Sequence, residues 1–234
     1  MRRDNHPHRG FSEGRSLHTR NIAIRILIIS EDTKSSKLYF EDIIEEVNSS
    51  NKDCIIAAEV KGCGKGTNKL LEEALTLKKD IERKKEITFD QSWLVFDKDN
   101  FTDDSFDNTI EKAQKDGFEV AWSNVCFELW YLLHFSDYHN PGGTPKDYEV
   151  ALEKKVQRFI PTFKYKKGSS KMYAILSKHG DQIQALVRAE KLRKKHKKNK
   201  QENKYSSHTP CTRVDLLIKE ITDTEERKKI LQKK

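Results

Sequence analysis

Apolar positions along the chain fall in compact blocks, and two of these blocks stop on acids. Residues 22–29 form a nearly unbroken apolar run that ends at Ser30-Glu31-Asp32. A run this continuous suits a strand covered on both faces, as in a parallel sheet. From Thr33 the spacing turns helical, with Leu38, Tyr39, Ile43, Ile44 and Val47 on one face and Thr33 or Ser35 as the expected N-cap. Residues 54–60, CIIAAEV, predict a second strand, followed by the glycine-rich loop KGCGKGT and a helix over 68–85. Residues 91–96 predict a third strand that ends abruptly at Asp97-Lys98-Asp99. A helix over 104–116, a strand over 118–122 and a helix over 125–135 capped by Ser123-Asn124 complete this pattern.

Strand and helix alternate, so the spacing predicts an α/β fold with a mostly parallel, Rossmann-like sheet flanked by helices. Right-handed crossovers then bring the strand C-termini to one edge. Beyond Ser136 the texture alters. Residues 138–145 read as a loop, and helices are expected over 146–159, 170–178 and 181 to about 200. Residues 188–204 are a charge run with almost no apolar stripe beyond Leu192, the pattern of a solvated helix or spur. Val214, Leu217, Ile218 and Ile221 restore a helical period, so a closing helix over 210–221 should pack back on the core. The expected organisation is a basic arm over 1–20, an α/β core over 21–136 and a mostly helical extension over 137–234.

Composition adds a bias toward phosphate. The 234 residues carry a net charge of +8, with a pI near 9.1 and a mean hydropathy of -0.84. That balance favours a nucleic-acid partner, although much of the excess is concentrated in one segment. No apolar run approaches the roughly 20 residues that a membrane span needs, and the basic start lacks a following apolar stretch, so a cytoplasmic protein is expected. Cys54, Cys63, Cys126 and Cys211 are scattered, without zinc-ligand spacing, and read as reduced thiols.

The candidate chemistry lies at the strand ends. Asp97 and Asp99 alternate around Lys98, so on an extended segment both carboxylates leave one side and can grip one hard cation. Glu31 occupies the equivalent end of the first strand, where a carboxylate can move protons or help hold a second ion. Asp32 reads instead as a first-turn acid favoured by the helix dipole. Glu128, in VCFELWYLLHF, is an acid in an apolar helix and needs a partner, which a metal, a basic residue or the helix N-terminus could supply; it is a further candidate catalytic residue, acting in the site directly or through a ligand. His134 reads as a hydrogen-bonded core histidine. Lys65, Lys98, Lys194, Lys195, Lys197 and Lys198 are the candidate phosphate contacts. The loop carrying Lys65 is not a P-loop, because Gly66 intervenes before Thr67. Lys164, Lys166 and Lys167 around Tyr165 form a second patch in which an aromatic ring is able to stack on a base, although a solvated loop is the favoured reading.

ILIISEDTKSSKLYFEDII, VFDKDNF, SNVCFELWYLLHF and TPCTRVDLLIKEI, in that order, resemble the successive blocks of the RloB-like family, also seen in the AbiLii abortive-infection proteins. The resemblance implies a Toprim-type core, shared with topoisomerases, primases and overcoming-lysogenization-defect nucleases. It implies Glu31 as general acid or base, and Asp97 and Asp99 as ligands of Mg²⁺, or of Mn²⁺ in its stead. It further implies a role in bacterial antiviral defence, often beside an ATPase partner of the ABC or AAA type. Thr209-Pro210 stands where the family pattern leads one to expect Asn-Pro. The leading expectation is a metal-dependent nuclease acting on RNA, tRNA included, or on DNA. The alternative is a nucleic-acid-binding or regulatory subunit of a defence ATPase complex that does not cut.

Overall fold

The computed structural model describes residues 21–50, 54–64, 69–98, 101–198 and 204–223. The N-terminal arm, Lys65 and Asp99 lie outside these residues. Five strands form one sheet in the order β2-β1-β3-β4-β5: β1 (Asn21–Ser30), β2 (Cys54–Gly62), β3 (Gln91–Asp97), β4 (Glu119–Asn124) and β5 (Cys211–Thr212). The first four are parallel, and β5 pairs antiparallel with β4. The expected α/β fold with a mostly parallel sheet is therefore what the chain adopts.

Both sheet faces are covered, and the strand pleat explains how. Ile24, Ile26 and Ile28 of β1 point with Trp93, Val95 and Ala121 into one apolar core. Leu27 and Ile29 point with Leu94, Phe96, Val120 and Trp122 into the other. The first core is closed by α1 (Ser35–Ser50), α4 (Glu128–Leu133), α5 (Pro145–Val156), α6 (Met172–His179), α7 (Gln182–Lys198) and α8 (Val214–Thr222). The second is closed by α2 (Leu70–Lys85) and α3 (Asp103–Lys115). This division makes the sheet doubly wound. Strand order reverses beside β1: the chain leaves to one side for β2, then crosses back to β3 on the other. The carboxyl ends of such strands flank the crevice where open α/β sheets bind ligands.

Four local expectations are corrected. The N-cap of α1 is supplied by neither Thr33 nor Ser35; Asp32 accepts from the Lys34 amide at 2.7 Å, the Ser36 amide at 3.1 Å and the Ser36 hydroxyl at 2.8 Å. The helix expected over 125–135 is only Glu128–Leu133, because Ser123 and Asn124 remain in β4 rather than capping it. Chain near 211 is not helical from the start: Cys211 and Thr212 first add an edge strand, fixed by a Ser123–Thr212 hydroxyl pair at 2.9 Å. The basic run is not merely solvated, since Ala185, Ala189, Leu192 and His196 of α7 are buried. Small residues and a histidine make that stripe, so it reads as polar when only large apolar side chains are sought. Among the described residues no helix is long and apolar enough to cross a membrane.

Candidate functional site

The two acid-terminated strands are neighbours at the reversal point. Their register pairs Ser30 with Val95, and the Glu31 amide continues the ladder by donating to the Val95 carbonyl at 2.8 Å. By this register Glu31 falls opposite Phe96, one residue before Asp97, so Glu31 and Asp97 leave adjacent strand ends on one edge, about one strand spacing of 4.8 Å apart across the sheet and one residue out of step along it. Both residues are half-buried. The end of β2 folds over the same edge: Cys63 donates to the Ser30 carbonyl at 2.8 Å and Gly64 to the Glu31 carbonyl at 2.9 Å. On the other side Asp97 pairs with Ser123 of β4, and the Lys98 amide reaches the Ser123 carbonyl at 2.9 Å. Backbone ties on both flanks thus set where Glu31 and Asp97 start.

Gly62 permits this closeness. A Cβ there would lie 2.5 Å from Thr33 Cα and 2.7 Å from the Asp32 carbonyl oxygen, so the acidic turn rests directly on glycine backbone.

Behind the edge is a wall of aromatic rings and further acid. Glu128 opens α4 with only 2% exposure, and the Tyr165 hydroxyl donates to its Oε1 at 2.6 Å. The partner that a buried carboxylate requires is thus a phenol. The sequence placed Tyr165 in a basic patch, as a ring for stacking on a base, and gave no sign of its pairing with Glu128, since 37 residues separate the two and no period links them. Directed at Glu128, its hydroxyl end is committed to the protein, and the ring packs against the first core. Burial and the nearby Glu128 charge raise the Tyr165 hydroxyl far above its ordinary range, keeping it a donor. Tyr131 is likewise raised, first by burial and then by the charges of Glu128, Asp32 and Asp97 among its neighbours. Burial, followed by Glu128 and Asp97, pushes the Cys126 thiol up as well. Three acids distant in the chain therefore act on one small neighbourhood, beside the strand end that carries Glu31.

Mg²⁺ suits hard oxygen donors and needs only one or two carboxylates, with water and phosphate completing its shell. Glu31 and Asp97 are donors of the right type on adjacent strand ends. Among the described residues no three His, Cys, Asp or Glu side chains form a group able to hold a metal. Asp99, the third expected ligand, lies outside those residues.

The basic candidates disperse. Lys98 turns away from the acids: its Nζ donates to the Phe101 carbonyl at 2.7 Å and pairs with Asp103 at 2.9 Å, bracing the start of α3. Lys194 pairs with Glu190 at 2.7 Å on the outer face of α7. Lys195 and Lys197 are exposed on the same helix, which also carries Lys198. His134 is 3% exposed, contacts the Trp130 carbonyl through Nδ1 at 3.0 Å and is pushed down to about 4 by burial. It is a core histidine.

The family model described as RloB-like protein matches residues 26–221. The chain belongs to the RloB-like family. In this RloB-like protein the match begins inside β1 and ends inside α8, so it takes in both cores and both acidic strand ends. No curated protein and no solved structure matches the chain.

Proposed function

We propose that this RloB-like protein is a Mg²⁺-dependent, Toprim-type nuclease that cleaves phosphodiester bonds of RNA or DNA in bacterial antiphage defence. The observation that supports the reading best is that Glu31 and Asp97 stand at the ends of neighbouring strands, at the point where strand order reverses. A doubly wound sheet presents its ligand crevice there. Asp97, with Asp99, would hold the ion. When bound, a divalent ion supplies charge neutralisation to the scissile phosphate and orients it. Glu31 would share that ion and carry the proton, accepting it from the attacking hydroxyl or delivering it to the leaving oxygen. Glu128, kept in place by Tyr165, adds negative charge behind Asp97 and favours a cation at the edge. Lys65, the exposed lysines Lys195 and Lys197 of α7, and Lys198 would meet the backbone, whereas Lys98 and Lys194 are drawn toward acids of the protein itself.

The test is cleavage of end-labelled RNA and DNA with Mg²⁺ or with EDTA, by the protein alone and with a partner ATPase. Cleavage that EDTA stops, and that Glu31→Gln or Asp97→Asn abolishes in a folded protein, is the expected result. Full activity of both variants removes these residues from the mechanism. Binding without cleavage under every condition would favour the non-cutting subunit.

A further inference from the structure

A cavity of about 470 Å³ opens beside the sheet edge, between α7, β5 and the 3-10 turn Tyr205–Ser207. Its size is that of a small-ligand site. Its chemistry is uneven in an informative way. Its lining includes rings: Trp122 of β4, with Tyr205 and His208 at centroid distances of 5.9 and 6.3 Å from it. It also includes cations: Lys197 and Arg193 from α7 and Arg213 from the start of α8. Arg193 is neutralised by its ion pair with buried Asp215, which leaves Lys197 and Arg213 as the cations facing a ligand.

Two donors on residues of this wall have no partner among the described residues. Trp122 is 1% exposed, yet its indole N–H has no hydrogen-bond partner among the described residues. The Nε–H of Arg213 is buried and equally unpartnered there. Buried donors are almost always satisfied, and both orphans belong to residues that line this cavity, so a ligand acceptor that shifts those side chains would satisfy them. Cys211 also lines the space, but burial pushes its thiol up to about 12, so it is a neutral contact rather than a nucleophile.

We propose that this cavity binds one nucleotide unit, its base against the Trp122, Tyr205 and His208 rings and its phosphate against Lys197 and Arg213. Flat rings, two available cations and unfilled donors together match an aromatic, acceptor-rich anion. Trp122 pairs in register with Phe96, one residue before Asp97, and β5 lies two strand spacings, about 10 Å, from β3. The nucleotide unit thus comes either from a strand that also crosses the acidic edge or from a free mononucleotide. Only the first source rests on the nuclease reading.

Binding is measured on the full chain without reference to cleavage, by calorimetry with adenosine monophosphate, with adenosine triphosphate and with a short single-stranded oligonucleotide. Saturable, salt-sensitive binding is expected, weakened at least about tenfold by Lys197→Glu and by Arg213→Gln. Trp122→Phe keeps a ring and breaks no hydrogen bond among the described residues; it should weaken binding, and because it shrinks a fully buried side chain it should also lower Tm in a protein that still folds. Lys197→Glu lies on an exposed helix face and keeps the test valid if a core variant fails to fold. Binding of the mononucleotides identifies a free ligand; binding of the oligonucleotide alone identifies a substrate strand. No saturable binding of any probe, or binding that all three variants leave unchanged, overturns the proposal. Because Glu31→Gln and Asp97→Asn are outside the cavity, failure of nuclease activity and failure of this binding are separately visible.

Discussion

Gly62→Ala separates the position of the acidic turn from its chemistry. The added Cβ would meet Thr33 Cα at 2.5 Å and the Asp32 carbonyl oxygen at 2.7 Å. Carbon atoms in ordinary contact stand about 3.5 to 4.0 Å apart, so β2 and the turn must part by about 1 Å. Both obstacles are backbone atoms, and no side-chain rotation relieves them. The turn is held by the Glu31–Val95, Cys63–Ser30 and Gly64–Glu31 backbone bonds, so the displacement reaches Glu31. Overpacking of this kind costs about 1–3 kcal/mol. For a domain of this size that lowers Tm by roughly 2–12 °C. Misplacing a reacting group by about 1 Å can cost about 10²-fold in rate. Thermal unfolding and single-turnover cleavage of labelled RNA, run side by side, should therefore show a folded variant slowed about a hundredfold. Gly142→Ala is the control, since a Cβ there meets nothing within 4 Å. Wild-type rate and wild-type Tm in Gly62→Ala would refute the claim that the turn is held by contact with β2.

Other consequences are equally open to measurement. Tyr165→Phe strips a charge-assisted bond from buried Glu128 and should destabilise by about 1.5–3 kcal/mol in urea unfolding, an effect reduced in the Glu128→Gln background. His134 has a folded pKa near 4, below its ordinary value of 6.5, so the unfolded chain binds the proton first. Its contribution is whole above pH 6.5 and is lost as pH falls toward 4, by up to about 3 kcal/mol; the acid limb of a stability profile should flatten in His134→Gln. Lys195→Ala and Lys197→Ala should each reduce the salt slope of log K for nucleic-acid binding by about 0.7–0.9, whereas Lys98→Ala, whose ammonium serves Asp103 and Phe101, should leave the slope unchanged.

What the sequence made legible follows from how strongly each signal depends on local order. Strands β1 and β3 were readable, with their acidic ends, because a strand buried on both faces writes an unbroken apolar run that stops where the sheet stops. Parallel order and a shared edge then follow from right-handed crossovers. Strand β5 was not readable: two residues carry no period, and it exists because Ser123 and Thr212 meet across 89 residues. The buried face of α7 was hidden for another reason, since alanines at 185 and 189 pack closely without looking apolar. At the site, the acids were visible as residues, but their supports were not. The role of Gly62 depends on a close approach of two backbones, and Tyr165 reaches Glu128 only through the fold. Asp32 was read as an acid favoured at the start of a helix, and it caps α1.

The claim beneath all of this is that Glu31 and Asp97 serve a single divalent ion at the edge shared by β1 and β3. Mn²⁺ binding, followed by the electron paramagnetic resonance signal of the free ion, reads that directly and needs no substrate. Wild-type protein should take up Mn²⁺ saturably in competition with Mg²⁺, and Asp97→Asn and Glu31→Gln should each weaken uptake while leaving Tm near the wild-type value. Unchanged Mn²⁺ affinity in the folded double variant would contradict the account.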